Sequence, residues 1–109
     1  MKILNIIVSV VALLAAVFGH KDSIAAPAGN PAYGKLIAET WCSSCHLVAA
    51  DENRNVLADV PTFTDIARRL PNEADILAAF IADPHPPMPD LGLSRQDIRD
   101  VLGYIATLR

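Results

Sequence analysis

The chain has two cysteines, Cys42 and Cys45, three residues apart and directly before His46 in the run Cys-Ser-Ser-Cys-His. That spacing rules out the disulfide framework on which small exported domains rely. It also gathers three reactive side chains, because residues three and four apart on a helical turn share a side. C-x-x-C-H is the attachment run of a c-type haem. In that chemistry each thiol adds across a porphyrin vinyl group, and the imidazole meets one face of the iron. A chain of this kind is expected to build its core around the porphyrin.

The 109 residues favour one domain. Lys2, the apolar run of residues 3–18 and the small residues around Ser23-Ile24-Ala25-Ala26 read as a secretory leader. Cleavage is expected after Ala25, so residues 1–25 form the leader and residues 26–109 the haem domain. An uncleaved anchor is the competing reading, although the run is short for a spanning helix and carries Asn5 and Ser9. Either way the domain is expected outside the cytoplasm, in the periplasm.

Without residues 1–25 the chain has 84 residues, seven of them basic and eleven acidic, for a net charge of −4. Nucleic acid is therefore an unsuitable partner. A domain this small is marginal without a staple. A covalently held porphyrin fills that role, and the haem-free chain is expected to be largely unfolded.

Hydrophobic periodicity predicts a first helix from about Ala32 to Cys45, with Tyr33, Leu36, Ile37, Thr40 and Trp41 on its apolar side. Residues 46–62 read as a loop returning at Val60-Pro61. Phe63 to Leu70 forms a short helix ended by Pro71, and Asn72 caps another from Glu73 to Ala82. Residues 83–92 hold four prolines and a glycine and read as irregular. Ser94 opens the final helix with Asp97 as its capping-box partner, and Ile98, Val101, Leu102, Ile105 and Leu108 follow at helical spacing. No segment alternates long enough for a strand, so the fold class is all-α.

The residue on the second face of the iron decides the chemistry, because an open position suits oxygen or peroxide and a second protein ligand suits electron transfer. Met88 is the one methionine outside the leader, in His85-Pro86-Pro87-Met88-Pro89. Its setting in a stiff proline loop differs from the periodic helix position of a core-filling methionine. Met88 is the expected axial partner of His46, with His85 as its rival.

These residues resemble the class I, mitochondrial-type cytochrome c family, in a short bacterial monohaem version, over nearly all of residues 26–109. Cys42, Cys45 and His46 match the haem run, and Met88 matches the distal ligand. Gly34 matches the glycine that lets the first helix approach the last, and Tyr104 the aromatic packed across that crossing. Pro61 resembles the proline whose carbonyl receives a hydrogen bond from the proximal imidazole. The resemblance implies about four helices wrapped around one covalent haem c, with N- and C-terminal helices packed across each other. It departs from the family at Ala38, often aromatic there, where Trp41 could supply the bulk, and in lacking a lysine-rich face.

The expected function is a monomeric periplasmic carrier of single electrons that docks transiently with larger redox proteins. It contacts no membrane unless the leader is retained. The alternative is an electron-accepting subunit of a dehydrogenase, or a small peroxidase-like haem protein with His85 as distal residue. A thiol–disulfide motif would need a βαβ context, and structural zinc a fourth ligand. Arg68, Arg69 and Trp41 are candidates to meet a haem propionate, against the plainer readings of solvated arginines and a packed indole.

Overall fold

The computed structural model describes residues 28–84 and 86–109. The expected leader and His85 lie outside the described residues. Three helical segments account for the architecture: α1 (Pro31–Ile37), continued by a π turn (Ala38–Cys42); α2 (Phe63–Ala82); and α3 (Arg95–Ala106). Among the described residues there is no strand, in keeping with the all-α expectation.

Each helix starts where local chemistry supplies an acceptor for its first N–H groups. The Asn30 side chain accepts from Ala32 N and Tyr33 N, with Pro31 at the first helical position, where its missing N–H is harmless. Thr62 accepts from Asp65 N at 3.0 Å. At α3 the expected box is present: Ser94 Oγ accepts from Asp97 N, and Asp97 Oδ2 accepts from Ser94 N.

The crossing of α1 over α3 organises the molecule. Gly34 is buried, and a Cβ placed there would lie 1.9 Å from the backbone oxygen of Asp100. The two backbones touch, which only a residue without a side chain permits. Asp100 is buried at the same crossing, and its Oδ1 accepts from Asn30 N and from Gln96 Nε2, both at 2.7 Å. A side chain of α3 thus helps to fix the start of α1.

That contact keeps Ile37 of the expected face of α1 inside but turns Tyr33 and Leu36 outward. Tyr33, Leu36 and Trp41 are half or more exposed, while Gly34, Ile37 and Ala38 are buried. Beside Ile37 the inward positions go to the small Gly34 and Ala38, because close backbone approach at Gly34 leaves no room for larger side chains there.

Segment α2 is the expected pair of helices, joined end to end at a kink. It runs through Pro71 and breaks at Glu73, which has φ −129° and ψ 18°. Proline removes one ladder hydrogen bond and crowds the preceding turn, so the helix kinks there and continues. The kink gives two arms, so the fold has the expected four helical stretches. Phe63, Ala67 and Leu70 of the first arm are buried against Val101, Tyr104 and Ile105 of α3. Leu77 and Ile81 of the second arm pack at the margin of that core. Gly92, at φ 62°, turns the irregular segment into α3.

Candidate functional site

An apolar cleft of about 620 Å³ opens beside this core. Its wall includes Cys42, Cys45, His46, Pro61 and Met88, five residues from three separate segments. Trp41, Ile76 and Phe80 also line it, and all three are large apolar side chains about half exposed or more. So much apolar surface left to solvent on a small domain marks a binding site. The charged side chains in the wall are those of Asp59 and Arg69. Arg69 also pairs with Glu73 across the kink of α2, whereas Arg68 pairs with Asp65.

The π turn delivers Cys42, and the tight turn after it delivers Cys45 and His46, whose N–H groups both donate to the Cys42 carbonyl. Both cysteines are free thiols. Burial pushes the Cys42 thiol up to about 11. It is therefore protonated at neutral pH, which is unlike the low-pKa thiolate of a thiol–disulfide exchanger.

His46 Nδ1 lies 2.7 Å from the Pro61 carbonyl oxygen. A carbonyl only accepts, so Nδ1 carries the proton and Nε2 of the neutral ring keeps its lone pair. The ring also sits against Phe63, with centroids 5.6 Å apart, and Phe63 in turn against Tyr104. Tyr104 donates its hydroxyl hydrogen to Val48 O at 2.8 Å, tying the segment after His46 to α3. Burial, with Glu39, Glu52 and Asp51 nearby, raises the Tyr104 pKa.

Sequence reasoning misses a second fastening of this segment. Glu52 accepts from Val48 N, Ala49 N and Arg54 Nε, and Arg54 also donates to the His46 carbonyl. The only signal is a polar cluster, which by itself reads as a solvated loop.

The Ala49 backbone N–H, and after it the Arg54 side chain, donate to the Glu52 carboxyl and hold it below its ordinary value of 4.5. Ser94, through its side chain and then its backbone, does the same for Asp97 below 3.8. A carboxyl whose folded pKa is depressed adds stability above its unfolded pKa and loses it as pH falls through the folded value. Thermal stability should therefore stay level from neutrality to about pH 5 and fall steadily below it. Melting curves across that range check this, and Glu52→Gln should make the acid decline shallower.

The residues present fit a c-type haem: an apolar slot, two free thiols, an imidazole with one nitrogen engaged by a carbonyl, and a thioether in the same wall. Comparison with known proteins points the same way. The chain is 41% identical over 97 residues to cytochrome c-552 of Bradyrhizobium diazoefficiens, covering 89% of each protein. No family model and no solved structure matches it.

Proposed function

Since the chain belongs to the small c-type cytochromes, which carry electrons on covalently bound haem c, we propose that it is a periplasmic carrier with His46 and Met88 as axial ligands. One observation carries this reading: Cys42, Cys45, His46 and Met88 share the wall of a single apolar cleft. When bound, the haem supplies an iron that gains and loses one electron.

The protein's own residues do the rest. Cys42 and Cys45 hold the porphyrin through thioethers. His46 presents Nε2, and the Pro61 carbonyl keeps that ring in one tautomer and orientation. Met88 offers a soft sulfur, which favours the ferrous state and raises the potential. Phe63, Ile76 and Phe80 line the slot; with haem seated against them they would keep water from the iron, so its charge would be less well solvated and the reduced state would gain again. Arg69 is the cation in the cleft wall available to the haem carboxylates.

Export is supported by the leader pattern of residues 1–25. Among the described residues no helix is long and apolar enough to cross a membrane. Docking would be brief, over a small patch at the mouth of the cleft.

Met88→Ala tests the ligand assignment. The variant is expected to keep covalent haem, lose the sulfur-to-iron charge-transfer band and bind added imidazole or cyanide. Its potential should fall. A spectrum and potential equal to those of the parent would remove Met88 from the site. A high-spin five-coordinate parent would instead favour the peroxidase-like reading, and co-purification with a larger protein the dehydrogenase subunit.

A further inference from the structure

The helix that carries the haem run is not wound uniformly. It is α-helical to Ile37, and then Ser43 N donates to Ala38 O at 3.0 Å, five residues back, closing the π turn. A π turn holds one residue more than an α turn, and such turns are frequent at functional sites. The consequence is a change of register.

In a continuous α-helix seven residues make almost two turns. Trp41, seven after Gly34, would then share the α3-facing side with Gly34, and Cys42 would lie about 100° further round. The observed burial is the opposite. Cys42 packs against the core cluster, whereas Trp41 stays outside it, 56% exposed at the border of the cleft. The extra residue moves the inner position from residue 41 to residue 42.

The widened turn is held by two hydroxyls. In an α-helix the Glu39 carbonyl would accept from Ser43 N, but that N–H has gone to Ala38. The Ser43 hydroxyl takes its place, donating to Glu39 O at 2.7 Å. One turn earlier the Thr40 hydroxyl donates to Leu36 O, also at 2.7 Å.

We propose that the π turn is a one-residue register device that sets Cys42 rather than Trp41 against the core at the inner side of the haem cleft, with Ser43 and Thr40 as its positioning residues. This rests on the reading of Cys42 as a haem thioether. It predicts that the turn can be closed without harm, because removing one of its residues leaves Cys42 seven after Gly34. Glu39 is the residue to remove: it is exposed, and its pair with Lys35 is a surface one of little worth.

The experiment uses haem-loaded holoproteins, with mass and peptide mapping first confirming haem on Cys42 of the parent. Deletion of Glu39 is expected to keep the parent's low-spin spectrum and Soret circular dichroism. Insertion of one alanine after Glu39 should turn the cysteine out of register and yield a high-spin, easily proteolysed product that still carries haem. Ser43→Ala should lower the melting temperature by about 4–8 °C, one hydrogen bond's worth. Ser43→Thr should restore it, and in the Glu39-deleted chain Ser43→Ala should have no effect.

A deletion variant that loses the parent spectrum, or an insertion variant that keeps it, overturns the proposal. So does an equal Ser43→Ala effect in both backgrounds, the result expected of a merely structural hydroxyl. A parent with no haem on Cys42 would instead defeat the reading on which the proposal stands.

Discussion

Replacing Cys42 and Cys45 together by alanine is expected to give a chain that retains no haem on denaturing extraction and does not hold its fold. The cleft measures about 620 Å³ and lies directly against the core residues of α2 and α3. Leaving a sealed void of that size would cost roughly 15 kcal/mol at about 24 cal/mol per Å³. The cleft is open to water and so costs less. Even a third of that figure matches the lower end of the roughly 5–15 kcal/mol that stabilises a whole domain. Ile76, Leu57 and Trp41 would stay exposed, and no disulfide is present to compensate. Intact mass and far-ultraviolet circular dichroism measure the two parts of the result. Haem surviving acid–acetone extraction would refute the first, and native helix content in the haem-free chain the second.

Gly34→Ala should be nearly as damaging from a change of one methyl group. The added carbon would sit 1.9 Å from the Asp100 carbonyl oxygen and 2.3 Å from its carbon, both backbone atoms. No rotamer can relieve that overlap, so α1 must lift from α3. Overpacking costs about 1–3 kcal/mol where side chains can adjust, and here the two main chains must separate. A loss above about 3 kcal/mol would lower the melting temperature by roughly 12–24 °C in a domain this size. Separation also disturbs the Asn30–Asp100 bond. Gly103 is a useful contrast, since a Cβ there would come no nearer than 3.3 Å to a neighbouring atom, and alanine should cost far less.

The sequence makes some of this legible because the responsible chemistry is local. The box of Ser94 and Asp97 needs only two side chains three residues apart, and it forms as expected. The irregular course of residues 83–84 and 86–92 follows from their prolines. Gly34 and Tyr104 are reached through the family resemblance, and the structure gives each a physical reason: a backbone contact for one, a hydroxyl bond to Val48 O for the other.

What stays hidden depends on partners far along the chain. Periodicity finds a stripe on α1 but does not weigh Tyr33 and Leu36 against the smaller Gly34 and Ala38. The choice is made by α3, which lies close enough to exclude bulk. The π turn breaks the very period used to detect it, so periodicity puts Trp41 where Cys42 packs against the core. Pro71 marks the break between the two arms of α2, but the residue that leaves helical geometry is Glu73, two places on. Asp100 reads as an ordinary surface acid, and its burial follows from meeting Asn30.

The bond between Asp100 and Asn30 also bears on the order of assembly. Seven residues of α-helix are too few to persist alone in water, and the start of α1 is completed by a group on α3, which the ribosome makes much later. Until α1 and α3 meet, the Cys-Ser-Ser-Cys-His stretch is therefore expected to have no preformed scaffold around it. Haem attachment is then expected to meet a pliable segment, with the cage closing afterwards as the two outer helices clasp.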